Sequence, residues 1–295
     1  MSSPRAQGPR VRAVVLGIAQ DGGVPHIGCT QQRCVEARRD PARRARVAAL
    51  GLIDDATGQR FLIDATPDLA SQLESLNGGS RPRSPVERRR PVDGILLTHA
   101  HIGHYAGLMY LGREALGAQG VPVYVTPRTA RFLRENGPWS QLVTLGQIEI
   151  REIEPDREFT LTPGLRATAR RVPHRDEYSD TVGYVVRGPR RSLLYLPDID
   201  KWERWERSCE DEVAGVDLAF LDGTFYAADE LPGRSPAEIP HPLIGETLAR
   251  LRARPALRER VWFIHLNHTN RLLWDTELRA EGGPRVAQDG SEHEL

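Results

Sequence analysis

Three cysteines, no long apolar run and no net charge are what this 295-residue chain offers in place of the usual class markers. An odd, small cysteine count excludes a disulfide framework. It points to the reducing cytoplasm, where neighbouring thiols bind metal more often than each other. No stretch approaches the roughly 18 apolar residues of a membrane-spanning helix. Residues 1–10 carry charge but no apolar stretch, so they read as a disordered tail and not as a secretory leader. Residues 281–295 are expected to form a second, flexible tail. The 40 basic and 40 acidic residues cancel, so no field of one sign recruits nucleic acid or an anionic membrane. The partner to expect is a small-molecule substrate, with a homodimer left open.

What the chain does have is strands and helices in alternation. Val11–Ile18 reads as a buried strand running into Gly22-Gly23. Val47–Ile53 and Arg60–Ile63 read as a hairpin around Asp55-Ala56-Thr57-Gly58. Pro67–Leu76 is expected to be helical, residues 77–91 a solvated Arg-rich loop, and Gly94–Leu97 a strand. Further on, helices are expected at His104–Leu116, Pro127–Glu135 and His241–Arg252. Strands are expected at Val121–Val125, Leu165–Val172, Thr181–Val186, Ser192–Leu196, Val216–Leu221 and Val261–Ile264. Hairpins mixed with βα units predict α/β layers, with sheets covered by helices, in a single domain over residues 11–280.

Chemistry concentrates in the histidines. Thr98-His99-Ala100-His101-Ile102-Gly103-His104 follows an apolar strand. His-x-His at a strand end projects two imidazoles the same way, and a turn can aim the third at the same point. Neutral imidazole suits zinc and similar divalent ions. One loop cannot complete a coordination sphere. His174, Asp198 and His265 each sit just past an apolar strand, where α/β architectures gather their sites. Arg175 follows His174, while Asp222 and Tyr226 follow another strand, so these three are candidates to line a substrate pocket. His241 opens an expected helix and is a candidate proton donor to a leaving group. Cys29 and Cys34, in one Gly-containing loop, suggest a metal site of their own.

The segment Thr98–His104, followed in order by His174, Asp198 and His265, resembles the His-x-His-x-Asp-His signature of the metallo-β-lactamase superfamily. More narrowly, the chain resembles the pyrroloquinoline-quinone biosynthesis protein B family and the related phosphonate-pathway cyclic phosphodiesterases. The segments that carry this are Gly22-Gly23-Val24-Pro25 with Cys29 and Cys34, Leu221–Phe225, Ile239–Pro242 and His265–Asn270. The resemblance implies a four-layer αβ/βα sandwich. It implies one or two divalent ions (zinc, manganese or iron), one held by His99, His101 and His174 and a second by His104 and His265, with Asp198 bridging. It also implies that Asp64 hydrogen-bonds the histidine loop, and that Cys29, Cys34 and His268 hold a structural zinc, with His26 the nearest group to serve as fourth ligand.

Gly103 stands where the signature has Asp, and glycine has no side chain to coordinate with. The second site is therefore expected to be short of a ligand. Asp200 is a candidate to complete it, and Gly103→Asp a way to restore it. The leading functional expectation is hydrolysis of a phosphodiester, ester or lactone-type bond by metal-activated water, with Asp198 and His241 in the reaction. The alternatives are an iron- and oxygen-dependent or accessory enzyme of peptide-derived cofactor biosynthesis, and a metal-binding protein without catalysis.

Overall fold

Side chains alternate across a strand, so strands apolar on both faces must be covered on both. The computed structural model, which describes residues 10–78, 89–230, 239–280 and 282–295, arranges them accordingly. Residues 1–9 of the expected tail and residues 79–88 of the expected Arg-rich loop 77–91 lie outside the described residues. One sheet has the order β13-β1-β2-β3-β4-β5-β6. Its strands are β1 (Val11–Gly17), β2 (Ala49–Asp54), β3 (Arg60–Ile63), β4 (Gly94–Leu96), β5 (Val121–Val125), β6 (Ile148–Glu152) and β13 (Glu292–Glu294). The other has the order β12-β11-β10-β9-β8-β7. It comprises β7 (Glu158–Thr162), β8 (Leu165–Val172), β9 (Thr181–Arg187), β10 (Ser192–Leu196), β11 (Leu218–Asp222) and β12 (Val261–Ile264).

Alternation sorts the core into three slabs. Ala13 and Val15 of β1 face inward, meeting Tyr184, Tyr195 and Phe220 of the opposite sheet. Val14 and Leu16 face outward, beneath helix Leu69–Asn77, whose Leu69 and Leu76 join the same cluster. In the same way Leu193 and Tyr195 of β10 point inward, while Leu194 and Leu196 pack outward against Trp202, Trp205 and the helical segments beyond. Two sheets back to back with helices on each outer face make the four-layer αβ/βα sandwich.

Strand direction places the site. β1 and β2 are antiparallel, β2 and β3 antiparallel, and β3 and β4 parallel, so β1, β3 and β4 run the same way. β8, β10, β11 and β12 likewise share one direction. The loops leaving these seven strands gather at one edge of the sandwich.

Four expectations change. The expected helix His104–Leu116 shrinks to Ile102–Tyr105 followed by 3-10 turns over Ala106–Leu111. Tertiary bonds take the backbone groups a helix would use: the His104 carbonyl accepts from Ala65 N–H at 2.8 Å, and Gly107 N–H donates to the Ala65 carbonyl at 2.8 Å. The expected helix His241–Arg252 is regular only over Ile244–Arg250, where Glu246 caps the Leu243 N–H at 2.9 Å. β6 and β7 were not anticipated. They are edge strands of mixed polarity, Ile-Glu-Ile-Arg-Glu and Glu-Phe-Thr-Leu-Thr, and show only half a strand pattern.

The last correction concerns the expected C-terminal tail. Residues 292–294 pair with β1, Ala13 opposite His293, and the fully buried Leu295 enters the core between the sheets. The segment covers an edge that would otherwise be open. Truncating that side chain, Leu295→Ala, should lower unfolding free energy by about 2 kcal/mol. A urea midpoint equal to that of the parent protein would show that the C-terminus is not docked.

Candidate metal centre

β4 ends at Leu96, and Leu97-Thr98 lead straight into the histidine loop. His99 and His104 are completely buried, and His101 is nearly so, with 13% of its side chain exposed. From the other sheet, the loop after β8 brings His174, the loop after β10 Asp198, and the end of β12 His265. All three are buried. Asp198 sits at the centre. Its Oδ2 lies 3.4 Å from Nε2 of both His99 and His104 and 3.6 Å from His265 Nε2, and its Oδ1 lies 3.5 Å from His174 Nε2.

Each imidazole turns one nitrogen inward and spends the other on a partner that accepts its proton. His104 Nδ1–H donates to Asp64 Oδ2 at 2.8 Å. His99 Nδ1–H donates to Thr98 Oγ1 at 3.0 Å, and that hydroxyl donates onward to Asp64 Oδ1 at 2.9 Å. His174 is held by Asp200 at 3.2 Å, His265 by Thr224 at 3.1 Å, and His101 Nε2–H by Glu177 at 3.1 Å. Such partners select the tautomer and orientation of a metal-binding imidazole. Asp64 and His265 both adopt left-handed backbone, φ 70° and 64°. Non-glycine residues do so at a cost of about 1 kcal/mol or more, and such strain clusters at functional sites.

The inward nitrogens of His101 and His174 lie 3.3 Å apart, and five other inward atoms have no partner within the protein. His99 Nε2, His104 Nε2, His265 Nε2, Asp198 Oδ1 and Asp21 Oδ1 are all buried without a hydrogen bond. Buried polar groups are ordinarily satisfied, so five such atoms gathered around Asp198 describe donors waiting for cations. Charge agrees. Burial should raise the Asp198 carboxyl, yet the surrounding imidazoles, His265 foremost, hold it well below the usual range. His99 is kept neutral chiefly by burial and then by His104, which favours an imidazole able to coordinate. His99, His101, His174 and Asp198 form one four-residue donor group.

The second donor group contains a residue that sequence reasoning missed. It is Asp21 with His104 and His265, and the Asp21 Oδ1 atom lies 3.4 and 3.6 Å from their Nε2 atoms. The available signal was a lone carboxylate following an apolar strand, the criterion that selected Asp198. Asp200 does not complete this site, because its oxygens are taken by His174 and, at 2.6 Å, by Arg204.

His241 lies beside the centre, with Nδ1 3.3 Å from Asp198 Oδ1 and 2.8 Å from Asp222 Oδ2. Burial alone would depress it, but the Asp222 carboxylate outweighs burial and pushes it up to about 9. Asp222 is fully buried and also accepts from the Ile199 and Thr224 amides at 3.1 and 2.9 Å. It positions His241 and is sealed from substrate, contrary to expectation. Tyr226 is part-buried and packs against the apolar cluster beneath the second sheet. Arg175 is exposed at the rim, 3.5 Å from Glu177.

Elsewhere, Cys29, Cys34 and His268 form a separate donor group, with Cys34 Sγ 3.6 Å from His268 Nδ1. His26 does not join it. Its ring stacks on His268 at 4.5 Å, and its Nδ1 pairs with the Ile27 carbonyl. Cys209 is an ordinary buried thiol, pushed up to about 12 by burial.

Known proteins share this fold. The model of the β-lactamase superfamily domain matches residues 59–266. Coenzyme PQQ synthesis protein B of Methylorubrum populi is 29% identical, covering 95% of this chain and 98% of its own. A Zn2+-bound PqqB from Methylobacterium extorquens superposes with a TM-score of 0.78 at 25% identity, covering 96% of this chain and all of that one. A diphosphatase of the PhnP family gives 0.66 at 24% identity, covering 97% of each chain, which speaks for the fold alone.

Replacing His99 and His101 together by Ala removes two of four donors from the first group, so that variant should lose one equivalent of bound divalent metal by mass spectrometry. Unchanged metal content in a folded variant would refute the assignment.

Proposed function

The chain belongs to the β-lactamase superfamily, and from that membership we propose that it is a metal-dependent hydrolase of a small molecule, cleaving a phosphodiester, ester or lactone-type bond. The observation that carries this is the cluster of unpartnered, buried imidazole and carboxylate atoms, with His241 held by Asp222 at its margin. His99, His101, His174 and Asp198 would hold one divalent ion, zinc, manganese or iron. His104 and His265 would hold a second, shared through Asp198. When bound, such ions acidify a water and neutralise charge developing on the attacked group.

The remaining work belongs to the chain. Asp64, Thr98, Asp200, Thr224 and Glu177 keep the five rings aimed inward through turnover. His241 donates Nδ1–H to Asp222, which leaves Nε2 to deliver a proton to the departing oxygen. Positioned proton transfer of this kind contributes about 10²–10⁴ in rate. Arg175, exposed at the rim, is available to an anionic substrate.

A second reading has its own support: the curated relatives are named for coenzyme PQQ synthesis, which favours an iron- and oxygen-dependent role in cofactor biosynthesis. Cys29, Cys34 and His268 would hold a structural zinc under either reading.

Metal-loaded protein should hydrolyse members of a panel of chromogenic phosphodiesters, esters and lactones equally in air and under argon. Turnover that requires oxygen would move the assignment to the second reading. His241→Ala should cut kcat by about a hundredfold or more. As a general acid, His241 works below its pKa and activity falls as pH rises through it. Asp222→Asn removes the charge that raises that pKa, so the alkaline limb of the pH profile should move to lower pH. A limb that stays put would rule out His241 as the donor. For the thiol group, Cys29→Ser with Cys34→Ser should lose one zinc and melt earlier. Full zinc and an unchanged melting temperature would exclude that site.

A further inference from the structure

Gly103 occupies the signature position of a metal-binding aspartate, and the space such a side chain would need is already filled. A Cβ at residue 103 would fall 2.1 Å from Asp21 Oδ1 and 2.7 Å from both the Asp21 Cα and Cγ atoms. Gly103 itself holds no left-handed backbone, so conformational freedom does not explain the glycine. The close approach of Asp21 does. An aspartate at 103 would collide with backbone atoms of the 20–23 loop, and expecting Gly103→Asp to strengthen the second site is therefore mistaken.

Asp21 is held where it is by both sheets. The Ala19 backbone bridges Val47 on one side and Leu266 on the other. Gln20 N–H donates to the Leu266 carbonyl at 2.9 Å, and Leu266 N–H donates to the Ile18 carbonyl at 2.8 Å. The Gln20 side chain accepts from the Asn267 amide. The turn after β1 is thereby stapled to the residues just after His265, and the next side chain out, Asp21, lands between His265 and His104. Its Oδ1 is buried without a partner although its side chain as a whole is 30% exposed, so the oxygen that meets no water is the one aimed at the ring.

We propose that Asp21 is the transposed carboxylate ligand of the second metal ion, completing a site with His104, His265 and Asp198, and that Gly103 is its obligatory partner. This rests on the metal centre proposed above and adds the residue that makes its second half competent. A hard carboxylate oxygen with two imidazoles and a bridging carboxylate suits zinc, manganese or iron alike. The swap moves the ligand from the histidine loop to the loop after β1 and keeps the negative charge and the oxygen donor. A glycine in the signature thus does not signal a dead second site.

Manganese provides the probe, because it favours oxygen and imidazole over thiolate and so leaves the Cys29/Cys34 group out of the count. Apoprotein loaded with Mn2+ should show the electron paramagnetic resonance signal of a spin-coupled pair. Asp21→Ala and the isosteric Asp21→Asn should each show isolated ions only, with affinity for the second ion down by about a hundredfold or more and the first ion retained. Gly103→Asp alone, which meets the Asp21 Cα whatever side chain position 21 carries, should not improve on the parent protein. A coupled pair that persists in Asp21→Asn, or a folded Gly103→Asp variant that binds the second ion more tightly than the parent, would overturn the transposition while leaving the metal centre intact. A parent protein that binds single ions only would overturn it too. A parent protein that binds no Mn2+, Zn2+ or Fe2+ at the histidine ring would instead sink the metal-centre reading itself.

Discussion

A carboxylate buried among imidazoles dictates the rest of this site. Asp198 is 3% exposed and approaches His99, His104, His174, His241 and His265 within 3.3–3.6 Å. Taking a carboxylate out of water costs several kcal/mol unless opposite charge and hydrogen bonds offset it. Asp21 and Asp64 add two more carboxylates around His104 alone. Proteins tolerate that density of buried negative charge when cations neutralise it. The inward-facing atoms of the two donor groups are where such cations belong.

Orientation is handled from outside that ring. Left alone, an imidazole offers either nitrogen, and a ring free to flip would turn its proton inward half the time. Here every ring has one nitrogen occupied by a fixed acceptor, and the acceptors are themselves anchored. Asp64 also takes the Thr98 amide at 2.8 Å, and Asp222 takes the amides of Ile199 and Thr224. The left-handed backbone at Asp64 and His265 fits this picture. It turns the chain sharply at the ends of β3 and β12, so that side chains leaving parallel strands meet over the edge of the sandwich.

Much of this was legible from local pattern. His99, His101 and His104 declare themselves because short-range spacing alone brings them together. His174, Asp198 and His265 were legible because each follows an apolar strand. Asp21 follows one as well, but a single Asp before Gly22-Gly23 reads as turn chemistry until β1 is known to run parallel to β3 and β4. Asp222 and Tyr226 looked like pocket residues for the same positional reason, yet Asp222 is fully buried and Tyr226 packs on an apolar layer. One ends β11 pointing down to hold His241, and the other packs into the apolar layer. Position along a strand predicts which edge a residue reaches and says nothing of which way its side chain then turns.

The amino-acid sequence by itself determined the layers, since apolar runs with period two admit only sheets covered on both faces, and it determined the imidazole cluster, since three histidines in six residues cannot avoid one another. It could not show that the second site keeps its carboxylate. The loss is visible at Gly103, inside the motif, whereas the compensation lies about eighty residues earlier, at Asp21. Only tertiary structure brings the two within a bond length of collision. Steric exclusion acts between atoms in space, and the sheet that carries β1 alongside β3 and β4 is what converts a gap in one loop into a vacancy that another loop fills.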